Sequence, residues 1–384
     1  EGEEAEAVAA GVELELAYEE VNEQNTQDGS PERQLLARLR KELTQVLHDQ
    51  PFIIEPFGSF VTDLGLPKSG AGSRSDLDVV LLFKGHRADT IEAKEVRNEV
   101  VSPTIDNIGR WMRRHPVFKV KNIIRKARVP IVTFETQDLE IDISVQQPFG
   151  VLNSWHLRDL CASGWPGRLR ALIRLIKLWV KSKAIHTAKD GSLSSYGWAM
   201  LAAGFLQDCE ALPAILRTRP TRGRGPYLSG DEALRHVLDA GSGRRPALLW
   251  DAPQPYDPAD NGVEEASMKP AALFLAWLQW LQESVLGGEG ALDAASQPIE
   301  NRRIVSVRGR SQEELCSDVK WSAKFSDHWS PHASQVFLLI EEPVTGENCA
   351  RCVRADGLRA IVAEVSRALT FFNSGPEKSS DAKF

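Results

Sequence analysis

Asp76 and Asp78 flank Leu77 at the head of an apolar run, Leu77-Asp78-Val79-Val80-Leu81-Leu82. If that run is a strand, carboxylates at i and i+2 share one face of the sheet, because side chains alternate with period two. Two acids crowded on one face repel each other unless a cation lies between them. A third acid, Asp142, sits in another apolar run, Leu139-Glu140-Ile141-Asp142-Ile143-Ser144. If the two runs are neighbouring strands, Asp76, Asp78 and Asp142 converge. Three converging carboxylates suit a pair of Mg2+ or Mn2+ ions about 4 Å apart, the arrangement for in-line attack on a phosphoryl centre. Upstream, Gly58 in Phe57-Gly58-Ser59 would let the backbone approach a phosphate, and Ser59 would offer it a hydroxyl and an N–H. Alone, Asp-x-Asp reads more simply as the polar edge of a strand; the Gly-Ser and the third strand acid outweigh that reading. Gly70-Ala71-Gly72-Ser73-Arg74-Ser75 mimics a dinucleotide fingerprint, but it lacks the third Gly and runs into a strand rather than a helix.

Basic residues supply the second half of the chemistry. Lys177 and Lys181 lie at i and i+4, opposite an apolar stripe of Leu172, Leu175, Ile176 and Trp179. Two cations one turn apart repel unless an anion lies between them. Ser194-Ser195-Tyr196-Gly197, at the opening of a helix, places hydroxyls and free N–H groups where an anion can sit. Arg110 to Arg128 holds eight bases in nineteen residues with no acid, and residues 160–189 hold seven more, again without an acid. Such stretches could lead a single-stranded 3′ end toward Asp142. No RNP, KH or zinc-finger signature is present, so backbone contact rather than sequence reading is expected.

Taken together, Gly58-Ser59, Asp76-x-Asp78 and Asp142 resemble the catalytic signature of the DNA polymerase β nucleotidyltransferase superfamily. Asn153-Ser154, Lys177-Leu178-Trp179-Val180-Lys181, Ser194-Ser195-Tyr196-Gly197, Ile304-Val305-Ser306-Val307-Arg308 and Ile340-Glu341-Glu342-Pro343 follow in the order seen in terminal uridylyltransferases and non-standard poly(A) polymerases. The resemblance covers roughly residues 35–372 and is greatest to the compact mitochondrial uridylyltransferases of trypanosomatids. It implies metal binding by Asp76, Asp78 and Asp142, and triphosphate binding by Gly58, Ser59, Ser154, Lys177, Lys181 and Ser195. It also implies a ribose contact at Asn153 and a base stacked on Tyr196. The implied reaction adds UMP from UTP to a single-stranded RNA 3′ end and releases pyrophosphate, with a multiprotein RNA-editing complex among the partners and the mitochondrion, otherwise the cytoplasm, as the location.

Two departures stand out. The loop from Ser59 to Asp76 is long for the family. The base-reading segment, Asp-Pro-aromatic-Glu in the uridylyltransferases, here reads Glu342-Pro343-Val344-Thr345. Glu342 keeps an acceptor for the uracil N3–H, reached through water, while the second acid is displaced or absent. A non-standard poly(A) polymerase using ATP is therefore the nearest alternative. An inactive scaffold homologue and a small-molecule nucleotidyltransferase are further ones.

The elements needed to position these groups are legible in outline. Ser30-Pro31 opens a helix running to about residue 48. Phe52–Phe60, Asp76–Phe83, Val117–Ile124, Val129–Thr136 and Leu139–Val145 read as strands, with a helix over Thr90–Arg114. From Trp155 onward helices dominate, over Leu169–Lys183, Ser195–Leu206, Leu273–Val285 and Leu358–Phe372, while residues 217–262 are loop-heavy, with Arg217, Arg219, Arg222 and Arg224 among Pro and Gly. The expected fold class is α+β: a polymerase-β-like nucleotidyltransferase domain with a mixed sheet (51–150), plus a mainly helical poly(A)-polymerase-associated domain (151–373), with the active site in the cleft between them. Residues 31–50 are expected to form a helix packing on the C-terminal domain, 1–30 an acidic segment and 374–384 a tail.

Composition bounds this reading. The 384 residues carry 46 Lys+Arg and 53 Asp+Glu, net -7, but Glu1 to Glu32 hold eleven acids and no base. The remainder is 46 bases against 42 acids, a slightly basic body. Five cysteines, odd in number and mostly scattered, fit a reducing compartment; Cys349 and Cys352 form a lone C-x-x-C with no partner pair. No run reaches the roughly 20 apolar residues of a membrane span, so no membrane partner is expected. No signal-peptide pattern opens at Glu1, and the absent initiator Met fits a processed or trimmed N-terminus.

Overall fold

The structure is a computed structural model that describes residues 31–47, 50–66, 76–90, 93–136, 139–164, 167–214, 227–241, 269–287, 303–317 and 336–374. The expectations for the acidic segment 1–30, the loop 67–75, the arginines at 217–224 and the tail 375–384 fall outside these residues.

The described chain forms two compact units. The sheet unit contains α1 (Pro31–Val46), β1 (Phe52–Phe57), the short α2 (Ser59–Thr62) and β2 (Leu77–Phe83). It continues with α3 (Lys94–Val96), a π-helical turn (Arg97–Val101), α4 (Ser102–Met112), β3 (Lys119–Ile124), β4 (Ile131–Glu135), β5 (Glu140–Val145) and most of α5 (Phe149–Cys161), and it takes in α8 (Gly230–Gly241) from further along the chain. Strand order is β1-β2-β5-β4-β3, with β2 and β5 parallel and the other pairs antiparallel, so the sheet is mixed as expected. Alternation sorts the two faces. Leu77, Val79, Leu81 and Phe83 of β2 and Ile141, Ile143 and Val145 of β5 are fully buried, against Leu39 and Leu43 of α1 and Ile105, Ile108 and Met112 of α4. Asp78 and Asp142 therefore turn to the opposite face.

Helix α1 departs from the expected arrangement. Its Leu36, Leu39, Leu43 and Leu47 join the sheet's own core instead of packing on the C-terminal domain, and Arg40 donates to the Ile54 carbonyl at 3.0 Å. The boundary also moves from 150 to about 160. α5 belongs with the sheet because its N-terminal end is fastened to the β1 turn through Ser154. Pro103 accounts for the π-helical turn before α4: it has no N–H to give and crowds the preceding turn, which widens to accommodate it.

The helical unit contains α6 (Arg168–Ser182), α7 (Ser195–Asp208), α9 (Pro270–Trp280), β6 (Ile304–Val305), α10 (Gln312–Ser317), β7 (Leu339–Ile340) and α11 (Ala355–Ser374). Trp179 of α6, Trp198 of α7 and Phe274 and Trp277 of α9 form its centre, in edge-to-face pairs with centroids 5.8–6.2 Å apart. β6 and β7 pair in parallel and pack on α7, where Gly204 admits the Val305 side chain that a Cβ would exclude. α2, α5 and α10 were not among the helices read from the sequence, and neither was α8, which lies in the stretch read as loop-heavy. Ser229 and Glu232 form a capping box at its start, with Ser229 N to Glu232 Oε2 at 2.9 Å and Glu232 N to Ser229 Oγ at 3.3 Å. The Ser-x-x-Glu signal was there to find. Among the described residues no helix is long and apolar enough to cross a membrane.

Candidate active site

The site is built at the ends of β1, β2 and β5. Asp78 and Asp142 are register partners on the two parallel strands, so their side chains stand next to each other on the open face. Asp142 in turn pairs with Thr133 of β4. Burial raises the Asp142 carboxyl above its ordinary value; a hydrogen bond from Thr133 opposes this, the negative charges of Glu140 and Asp76 add to the rise, and Lys121 offsets part of it. Its Oδ1 is buried and has no hydrogen-bond partner among the described residues. Asp76 is exposed, one residue ahead of β2, and close enough for its charge to be felt at Asp142. Thr133 and Lys121 were not singled out as site residues by spacing, because only strand pairing brings them here.

Gly58 ends β1 beside Asp78. Its φ is 72°, in the left-handed region, and a Cβ built on it would lie 2.5 Å from Asp78 Oδ2. No residue with a side chain fits there. Its N–H donates to Ser154 Oγ at 2.7 Å, and the Ser154 hydroxyl donates to the Gly150 carbonyl at 2.7 Å. The resemblance assigns Ser154 to the triphosphate, but the structure commits its one proton to Gly150, so Ser154 holds the Gly58 turn from behind. Ser59 follows, partly exposed, at the start of α2. Asn153 precedes Ser154 on α5, its Oδ1 buried and without a hydrogen-bond partner among the described residues.

The donor set fits a divalent cation in its chemistry. Carboxylate oxygens are the hard ligands that Mg2+ and Mn2+ take, and positive charge at Asp142 would offset what burial has withdrawn. The three carboxylates do not form a finished cage, since among the described residues no group of three or more His, Cys, Asp or Glu is gathered closely enough to hold a metal ion alone. Asp78 and Asp142 are brought together as register partners, and Asp76, exposed one residue ahead of β2, is near enough to act on Asp142 by its charge.

The remaining candidates lie in the helical unit. Lys177 is partly buried and Lys181 exposed on α6, with Leu172, Leu175, Ile176 and Trp179 buried on the other side. Of the seven bases in 160–189, Arg174 is fully buried, so that stretch is not one continuous RNA-facing run. Ser194 caps α7, its Oγ accepting from Gly197 N at 3.2 Å, and Ser195 is exposed beside it. Tyr196 is half-buried, with its hydroxyl turned inward to donate to Glu342 Oε1 at 3.3 Å. Burial above all, with the Glu342 carboxylate beside it, keeps this phenol well above its usual range.

Glu342 corrects an expectation. It is 6% exposed, and its two oxygens accept from Tyr196 OH, Val344 N (3.1 Å), Thr345 N (2.5 Å) and Thr345 Oγ1. A carboxylate has about four acceptor positions, and all are taken. Glu342 closes the 342–345 turn and anchors Tyr196; reading a base N–H would require displacing one of these partners. Sequence spacing alone carried no sign of this.

Comparisons with known proteins agree with the geometry. Residues 13–158 match the family model described as "Poly(A) RNA polymerase, mitochondrial-like, central palm domain". The solved "Terminal uridylyl transferase 4 from Trypanosoma brucei with bound dUTP" superposes with a TM-score of 0.58 at 20% identity, over 89% of this chain and 93% of that one. A structure of Cid1, titled for its RNA terminal uridylyl transferase activity, gives 0.59 at 18% identity over 96% and 95%. The fold is that of these two solved structures. By sequence, the chain is 34% identical to human terminal uridylyltransferase 4 over 147 residues, 37% of this chain and 8% of that protein. It is 26% identical to the poly(A) RNA polymerase GLD2 of Xenopus tropicalis over 347 residues, 85% of this chain. The chain thus spans 8% of the length of the first relative and 53% of the second.

Proposed function

We propose that this chain is a metal-dependent RNA terminal uridylyltransferase, joining UMP from UTP to an RNA 3′ hydroxyl with release of pyrophosphate. The observation that carries nucleotidyl transfer is the register pair Asp78–Asp142 on the open sheet face, with Gly58 held against Asp78. A divalent cation held by Asp76, Asp78 and Asp142 would neutralise the triphosphate and make the 3′ hydroxyl more acidic. Asp142 Oδ1, buried, unpartnered and raised in basicity, is suited to take the hydroxyl proton as the 3′ oxygen attacks the α-phosphorus and pyrophosphate departs. Ser59, partly exposed at the start of α2, would hold the departing phosphates; the family resemblance gives Lys177 and Lys181 the same role. Tyr196, fixed at its hydroxyl, would present its ring to the base.

The choice of uracil rests on the uridylyltransferase relatives. A second reading, AMP transfer from ATP, is favoured by a specific observation: the Glu342 carboxylate that would read uracil is already saturated. Poly(A) polymerase GLD2 also aligns over more of the chain. Incubating the protein with a short single-stranded RNA and each of the four triphosphates separately, with Mg2+ or Mn2+, tests both. Extension with UTP and little with ATP is expected. Preference for ATP replaces the first reading with the second, and no extension with any nucleotide, or full extension by Asp142→Ala, rejects both.

A further inference from the structure

The register that joins the two aspartates continues past Asp142. Asp78 is opposite Asp142, Asp142 opposite Thr133, and Thr133 opposite Asn122 of β3. Residues opposite one another share a face, so four polar side chains cross the open face in one row, from β2 to the edge of the sheet. Thr133 is 4% exposed and hydrogen-bonds to Asp142. Asn122 is exposed at the outer end of the row.

A β-bulge aims it there. The β3–β4 register shifts between Val120, which pairs with Phe134, and Asn122, which pairs with Thr133. Val120 and Ile123 both pack into the sheet's core, and Ile123 sits so closely on α4 that a Cβ on Gly109 would lie 2.5 Å from its Cδ1. Strict alternation from Val120 would turn Asn122 inward and Ile123 outward. The extra residue of the bulge turns Lys121 and Asn122 out together, the way bulges beside a site re-aim a side chain. Lys121 reaches Glu140, which shares the face of Asp142, at 2.5 Å. Ile124, 42% exposed, follows Asn122 on that face.

Neighbouring strands are about 4.8 Å apart, so Asn122 stands two spacings, about 10 Å, from Asp142. An RNA whose 3′ hydroxyl lies at Asp142 would pass its terminal ribose over the buried Thr133 and bring its preceding linkage to Asn122. An amide suits that linkage: it donates to a phosphate oxygen and accepts from a 2′-hydroxyl, where a lysine can only donate. Ile124 beside it offers the ribose an apolar surface. We propose that Asn122 holds the ribose–phosphate linkage just upstream of the RNA's terminal nucleotide, and that through its 2′-hydroxyl contact the chain tells RNA from DNA. This rests on the RNA-transfer reading above and adds a specificity-determining residue to it.

Binding without turnover is the first measurement, by anisotropy of a 5′-labelled single-stranded RNA that ends in a 3′-deoxynucleotide. Asn122→Ala is expected to bind it about tenfold more weakly at an unchanged melting temperature. One 2′-deoxy substitution at the penultimate nucleotide should weaken wild-type binding several-fold and leave Asn122→Ala unmoved, since the contact is already lost. Asn122→Asp, equal in size, serves as a second variant and should bind more weakly still, because its charge repels the phosphate. Undiminished binding by either variant, or an equal deoxy penalty in wild type and Asn122→Ala, overturns the proposal. Extension kinetics are the second measurement. Asn122→Ala should raise KM for RNA about tenfold and leave KM for the triphosphate unchanged; an equal rise in both makes Asn122 a general support of the sheet and overturns the proposal. If RNA binds with this dependence but no triphosphate is transferred, the transfer reading fails and the contact at Asn122 stands. If the wild-type chain binds no RNA, both fall.

Discussion

Burial lifts the Asp142 carboxyl above the usual aspartate range, and Thr133 and Lys121 pull it only partway back. The fold therefore prefers the acid form. This group's contribution to stability is intact below about pH 4, the unfolded aspartate value, and drains away as pH rises through the raised value. Asp142→Asn should accordingly melt higher than wild type in EDTA, by a margin that grows from pH 4 to pH 7, while RNA extension falls by about a hundredfold or more. Thermal melts at several pH values with a parallel extension assay check this; a mutant that melts lower at pH 7 contradicts the electrostatic account. Gly58→Ala tests steric fit at the same spot. A left-handed φ and a Cβ driven into Asp78 Oδ2 should cost about 2 kcal/mol or more in denaturant unfolding and abolish extension.

At the level of elements, two hydroxyl-to-carboxylate or hydroxyl-to-backbone links decide how rigid the site is. Ser154 joins α5 to the end of β1. Ser154→Ala leaves the Gly58 N–H without its acceptor, at a cost of about 1–3 kcal/mol, and should raise KM for the triphosphate more than it lowers kcat. Steady-state kinetics separate this from a direct phosphate ligand, whose loss would depress both. Glu342 joins the 342–345 turn to α7 through Tyr196. Glu342→Gln offers an amide where Val344 N or Thr345 N needs an acceptor, so it should weaken nucleotide binding and lower the melting temperature. Tyr196→Phe should keep most of the stacking and lose only the anchor. Binding titrations on the pair, with Tyr196→Ala as the null for the ring, rank these effects; equal losses for Phe and Ala would show that the anchor, not the ring, matters. Elements whose signals are local were legible: the leucines of α1, the stripe of α6 and the alternation of β5. α8 was legible too, in Ser229 and Glu232, but Pro and Gly on both sides masked it.

For the whole molecule, ligation should be visible without turnover. Mn2+ or Mg2+ should raise the melting temperature of wild type, by mass action on the folded state, and should do little for Asp142→Asn. Differential scanning measurements with and without EDTA suffice, and an equal shift in both proteins would place the ion elsewhere. Net charge is informative only once divided. The -7 of the chain combines an acidic start with a body of 46 bases against 42 acids, and the structure shows the two basic stretches to differ: Arg110–Arg128 is largely exposed, whereas 160–189 buries Arg174.

By itself the sequence determined what is periodic or punctuated. That covers the Asp-x-Asp spacing on a strand, the apolar faces of the helices, the Gly-Ser turn and the α+β succession, all of which depend on residues a few positions apart. Only the tertiary structure decided which strands are neighbours, and so that Asp142 stands beside Asp78 and faces Thr133. It alone put α1 in the sheet's core and filled every acceptor position of Glu342. The reason is physical. Pairing register, burial and hydrogen-bond saturation join groups 60 to 150 residues apart, as from Tyr196 to Glu342 or Gly58 to Ser154, and no local period encodes which distant partner closes the bond.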